Sequence, residues 1–118
     1  MRPDQGDAGF LWDMLGAAKG VVELVEGRTC SDFLANRTSQ LAVERQVEII
    51  GEAARRVSEC FRSGHPEIPW KKIIAQRHVL AHEYGEIRQD LMWEVATGHI
   101  PELIAMLQPL IPPAPPAP

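Results

Sequence analysis

An all-α fold, an antiparallel bundle of four to five helices, is what this sequence predicts, and three observations carry the prediction. Apolar residues recur at spacings of three and four through most of the chain. No segment alternates with the period of two that a half-buried strand needs. Glycine, proline and hydroxyl-bearing residues fall between the apolar runs, where helices start and stop.

The first helix runs from about Asp7 to Glu26. Phe10, Met14, Ala17, Ala18, Val21 and Val25 make its stripe, and Leu11, Leu15 and Val22 widen it to a broad buried face. Gly27 is placed to end it in a left-handed conformation. Thr29 or Ser31 can cap a short second piece around Asp32–Ala35. Ser39 is the expected N-cap of the longest helix, about Gln40 to Arg62, whose seam is Val43, Val47, Ile50, Ala54, Val57 and Phe61. Glu44, Glu48, Glu52 and Arg56 occupy its outer side, with Glu52 and Arg56 in the favourable i,i+4 order. Gly51 costs about 1 kcal/mol against alanine in a helix interior, so its presence there marks another helix passing close. Glu52 reads either as a solvated helix charge or as a carboxylate that orients Arg77 from a neighbouring helix.

Ser63-Gly64-His65-Pro66 breaks the long helix, and Pro69 fits the first position of the next. Ile73, Ile74, Leu80 and Ala81 form a buried stripe that includes Arg77, and Trp70 is expected in the core or as an interface plug. Gly85 is a helix stop. Asp90 can then cap a further helix bearing Leu91, Met92, Val95 and Ala96, which Gly98 interrupts. Pro101 restarts or kinks a last helix with Leu103, Ile104, Leu107 and Leu110. Residues 1–111 thus form a single helical domain, and 112–118 a proline-rich polyproline II tail.

A chain of 118 residues with 45% hydrophobic side chains can bury one core, which fits one domain. Its net charge of −4 argues against a broad basic surface for non-specific nucleic-acid binding, while leaving room for a local basic cluster. Cys30 and Cys60 form no CxxC pair and read as reduced, half-buried thiols of a cytosolic protein. The first seven residues are polar, with no apolar stretch of a signal peptide behind them, and no run reaches the ~18 apolar residues of a membrane span. A cytoplasmic protein with no membrane partner is expected.

Chemistry concentrates in Arg77-His78-Val79-Leu80-Ala81-His82-Glu83-Tyr84. On a straight helix Arg77 and His82 lie about 140° apart with a rise near 7.5 Å, so they straddle an edge. To act on one phosphodiester, Arg77 must lean across, the helix must loosen near His82, or a second copy must complete the site. A histidine can take the proton of a ribose 2′-OH, and an arginine can hold the phosphoryl oxygens in a bidentate fork, with no metal required. Singly, such an arginine is commonly a salt-bridged structural residue and such a histidine a hydrogen-bonded core group. His78 and His82 have the i,i+4 spacing of a metal pair, but this is no HExxH motif and no third ligand is evident.

At these residues the chain resembles the HepT-like toxins of the HEPN superfamily, small all-helical ribonucleases. The carrying residues are Arg77, the polar His78 beside it, and His82, extended by Tyr84 to Arg-x4-His-x-Tyr. Ile50-Gly51-Glu52-Ala53-Ala54, Ile68-Pro69-Trp70, Trp93 and Pro101-Glu102-Leu103 extend the likeness over about residues 7–108. The residue after the arginine is often asparagine in this branch, and His78 stands there instead. The resemblance implies a homodimer with both motifs facing one cleft, metal-independent cleavage of RNA, and a minimal nucleotidyltransferase as cognate antitoxin. That partner silences some such toxins by transferring AMP to the motif tyrosine, here Tyr84. The expected function is therefore a toxin endoribonuclease with Arg77, His82 and His78 catalytic, Tyr84 the AMPylation point and Glu52 a possible support, using no cofactor. The rival reading is a non-catalytic helical binding partner of a nucleotidyltransferase, which the acidic charge balance favours.

Overall fold

Gln5–Val25 forms helix α1 of the computed structural model, which describes residues 5–80 and 86–111, with side chains for 6–76 and 86–111. Leu11, Met14, Leu15, Ala18 and Val21 are buried along it, the wide face that the spacing predicts. Gly27 ends this segment at φ +74°, a left-handed conformation that disfavours any residue with a Cβ. Cys30–Leu34 is α2, opened by a reciprocal capping box. Thr29 Oγ1 accepts from the Asp32 backbone N–H at 3.1 Å, and the Asp32 carboxylate accepts from the Thr29 N–H at 2.9 Å. These bonds with Thr29 hold the Asp32 carboxyl below the usual carboxylate range.

The expected long helix is two helices. Arg37–Arg56 is α3, and it starts earlier than predicted because Asn36 rather than Ser39 caps it: Asn36 Oδ1 accepts from the Ser39 N–H at 3.0 Å. The helix stops at Val57, which is extended at ψ 138°, and Glu59–Gly64 follows as α4. Two groups make this break. Ser58 Oγ accepts from the Phe61 N–H at 3.2 Å as the N-cap of α4. The buried Asp7 carboxylate, 51 positions away in sequence, accepts from the Ser58 N–H at 2.7 Å and the Ser58 hydroxyl at 2.6 Å. The apolar seam survives the break, since Val43, Val47, Ile50, Ala54, Val57 and Phe61 are all buried.

Trp70–Leu80 is α5, with Pro69 immediately before its first residue rather than inside it; the Pro69 carbonyl accepts from the Ile73 N–H at 3.0 Å. Trp70 is in the core, where its indole N–H donates to the His65 carbonyl at 3.0 Å. Gly85 lies outside the described residues. Gln89–Glu94 is α6, and Asp90 does not cap it: Asp90 sits inside the first turn, where Arg88 grips its carboxylate at 2.7 and 3.2 Å. That grip lowers the Asp90 pKa and raises that of Arg88.

The α-helical pattern is interrupted around Gly98 as expected, but by a change of helix type rather than by a stop. A π-helical turn, Val95–His99, joins α6 to α7, Ile100–Leu107, and a 3₁₀ turn at Gln108–Leu110 ends the described chain. Pro101 accounts for the π turn. It has no N–H for the carbonyl four residues back and its ring crowds that carbonyl, so the ladder widens and the Ile100 N–H bonds Val95 instead.

The all-α class is as predicted, and among the described residues no extended strand occurs. The paired helices α1 and α3 are the spine of the bundle; α7 packs on the α1 side and α5 on the α3 side. No described helix is long and apolar enough to cross a membrane. Both cysteines are free; Cys30 is partly buried, but Cys60 is exposed rather than half-buried as expected.

Candidate functional site

Helix α5 carries the front half of the predicted motif. Arg77 and His78 occupy its last turns, so their backbone is helical, while their side chains lie outside the described residues. His82 and Tyr84 lie outside them altogether. What the structure does describe is how α5 is held. A Cβ built on Gly51 would sit 3.2 Å from the Ile73 carbonyl oxygen and 3.8 Å from that of Ile74. Helices α3 and α5 therefore meet backbone to backbone, as the costly glycine predicted. Ile73 is buried at this contact and Ile74 is partly buried.

At its N-terminal end α5 is locked by aromatic packing. Phe61 of α4 lies 6.4 Å from Trp70, edge to face, and 4.4 Å from the His65 ring. His65 Nδ1 is 3.2 Å from the Glu67 carboxylate. Helix α5 thus enters the motif from two fixed points, Trp70 and the Gly51 crossing.

Glu52 is described in full. Its carboxylate accepts from Arg55 at 2.6 and 3.3 Å and from Arg56 at 3.2 Å, and it is half exposed. The Arg55 hydrogen bond first, then that of Arg56, holds its pKa below the usual carboxylate range. The i,i+4 pair with Arg56 was legible from spacing; the stronger partner, Arg55 at i+3, was not.

Two cavities flank α5. One, of about 590 Å³, lies where α1, α3 and α5 meet, with Phe10, Ile49 and Ile74 along it and Ala75, two positions before Arg77, at its edge. Its lining carries three arginines and three carboxylates: Arg45 pairs with Glu48 at 3.7 Å, Arg55 and Arg56 share Glu52, and Asp13 of α1 is the third acid. The other, of about 500 Å³, lies between α4 and the start of α5 and is lined by Arg62, Lys71 and Lys72. Sequence reasoning missed this cluster, although the Lys71-Lys72 pair on the motif helix was a visible signal. Among the described residues no three His, Cys, Asp or Glu side chains converge as a metal site.

Against known proteins, the family model described as "Ribonuclease HepT-like" matches residues 14–110, a span that includes all of α5 and the motif. The chain belongs to the HepT-like ribonucleases. It is 35% identical over 94 residues to "Putative RNase MJ1380" of Methanocaldococcus jannaschii, covering 80% of this chain and 86% of that one. It is 34% identical over 94 residues to "Probable ribonuclease HepT" of Thermococcus cleftensis, with the same two coverages, 80% and 86%. "Putative RNase TTE0752" of Caldanaerobacter subterraneus is 35% identical over 94 residues, or 80% of this chain and 84% of that one. No solved structure matches significantly. The HepT-like resemblance seen at Arg77, His82 and Tyr84 is thus a family membership that extends over the whole helical core.

Proposed function

We propose that this HepT-like ribonuclease is the toxin of a type II toxin–antitoxin pair and cuts RNA without a metal, through Arg77 and His82 in a cleft shared by two copies of the chain. His82 acts as base toward a ribose 2′-OH, whose oxygen attacks the adjacent phosphorus. The bond to the 5′-oxygen of the next nucleotide breaks, and that oxygen takes a proton from a histidine acting as acid. Arg77 holds the non-bridging oxygens and offsets the charge that builds on them. His78 assists by orienting the phosphate or carrying the second proton.

What supports this reading is the place of Arg77 and His78 near the end of a helix pinned at Trp70 and at Gly51, inside the span matched by a ribonuclease family. Preorganisation of that kind is what electrostatic catalysis needs, since the donors must be in place before charge develops. The groove beside Ala75 supports the dimer. It is amphipathic, the three arginines and three carboxylates on its lining balance, and it borders the motif helix, so a second copy can cover it without burying a net charge.

Regulation is proposed from the family resemblance. A minimal nucleotidyltransferase antitoxin would transfer AMP to Tyr84. The phenolic oxygen attacks the α-phosphorus of ATP, pyrophosphate leaves, and the adduct adds bulk and negative charge two residues from His82. Purified chain should cleave RNA in EDTA, and His82→Ala or Arg77→Ala should reduce the rate by at least ~10²-fold with helicity retained. Intact cellular RNA after incubation with unmodified, partner-free wild type would remove the enzymatic reading and leave the binding-partner alternative.

A further inference from the structure

A nuclease of net charge −4 must still gather a polyanion, so its positive charge has to be local. Among the described residues, the arginines with close carboxylates are already engaged: Arg37 with Glu44, Arg45 with Glu48, Arg55 and Arg56 with Glu52, Arg88 with Asp90. Arg62, Lys71 and Lys72 are different. None of them pairs with a carboxylate among the described residues, and the three line one cavity of about 500 Å³. The Arg62 Nε is buried and has no hydrogen-bond partner among the described residues. Among the described residues Glu59 is the one carboxylate on the lining, against Arg62, Lys71 and Lys72, so they give the cavity an excess of positive charge. Its walls are fixed, since the Phe61–Trp70 contact and the Trp70–His65 hydrogen bond clamp α4 to the head of α5.

We propose that this cavity is a phosphate-binding subsite for the RNA chain, with Lys71, Lys72 and Arg62 holding backbone phosphates upstream or downstream of the scissile one. This rests on the reading that the chain cuts RNA. The distance fits. Lys71 and Arg77 lie six residues apart on one helix, a rise of about 9 Å with their positions about 120° apart around it, so a strand held at the lysines has to cross the face of α5 to reach the motif. The adjoining groove at Ala75 offers no comparable charge, because its arginines are spent on Glu48 and Glu52. The subsite gives affinity without base selectivity, because phosphate contacts position a strand and carry no sequence information.

The test measures binding of a short 2′-O-methyl RNA, which lacks the attacking hydroxyl and stays intact, as a function of salt. For single strands each phosphate contact contributes about 0.7 to the slope of log K against log salt. Lys71→Gln/Lys72→Gln should lower the slope by about 1.4 and weaken binding at least tenfold at low salt. Lys71→Arg/Lys72→Arg should restore both, and Arg62→Gln alone should lower the slope by about 0.7. Cleavage of a long RNA by the double glutamine variant should show a raised KM. An unchanged slope in the double glutamine variant overturns the subsite, including the case where that variant has instead lost affinity for a protein partner. Failure of the wild type to cut any RNA overturns the ribonuclease reading, while the salt slopes still decide whether the cavity binds phosphate.

Discussion

Asp7 shows how much one side chain can determine. Its carboxylate is buried and accepts two hydrogen bonds from Ser58, so the first turn of α1 fixes the point where α3 ends and α4 begins. Charge-assisted bonds of this kind are worth about 1.5–3 kcal/mol each, and removing the acceptor leaves a buried N–H unsatisfied. Asp7→Ala should therefore cost at least ~2 kcal/mol in urea denaturation, whereas Asp13→Ala, exposed on the same helix, should change stability by less than ~0.5 kcal/mol. Equal losses for the two variants would show that the Ser58 contact does not hold the break. Nothing in the sequence signals this partnership, because the two residues are 51 positions apart and only the fold brings them together. The Lys71-Lys72 pair was visible in the sequence, but that Arg62 of α4 joins it on one cavity only the fold shows. By contrast, Gly27, Trp70 and the Arg56 partner of Glu52 follow local rules, and each is where spacing and stereochemistry put it.

At the scale of helices, the apolar periodicity predicted which faces are buried better than where each helix ends. The seam from Val43 to Phe61 is continuous in burial although it crosses from α3 to α4. A hydrophobic pattern records the packed face and is silent about a chain break that keeps the same face inward. Around Gly98 the α-helix gives way to a π turn without the rod coming apart. Glycine lowers helix propensity by only about 1 kcal/mol, and the buried Val95, Ala96, Ile100 and Leu103 around it hold the rod together. The contact of Gly51 with the Ile73 carbonyl sets the position of α5 and hence of Arg77 and His78. Gly51→Ala gains up to about 1 kcal/mol in helix propensity but forces α5 outward by a few tenths of an ångström. Stability should stay within ~1 kcal/mol of wild type while RNA cleavage falls roughly tenfold, because catalytic geometry tolerates little displacement. Wild-type cleavage by Gly51→Ala, compared under single-turnover conditions, would mean that the helix is positioned elsewhere.

For the molecule as a whole, the proposed shared cleft makes activity a property of the pair. Specific activity should fall on serial dilution as dimers separate, with the midpoint moving to lower protein concentration when substrate RNA is in excess, because a ligand that bridges two copies stabilises their association. A rate per chain that stays constant down to concentrations where sedimentation shows only monomers would place the full site within one copy. The family, fold class and chemical motif were legible in the sequence, because short-range periodicity and an Arg-x4-His-x-Tyr spacing are local signals. The distribution of charge was not. Net charge is a sum over the chain, and only folding shows that Arg45 pairs with Glu48 and that Arg55 and Arg56 share Glu52, while Arg62, Lys71 and Lys72 face a common hollow.

The junction that Asp7 makes with Ser58 also has a practical bearing on how the protein is handled. A purification tag or fusion partner joined ahead of α1 would place its bulk within a few residues of a carboxylate that must stay packed, and any loosening there would pass through α4 to the hollow beside Lys71. Labels that leave the first turn of α1 untouched avoid that lever and are the safer design for binding and cleavage assays.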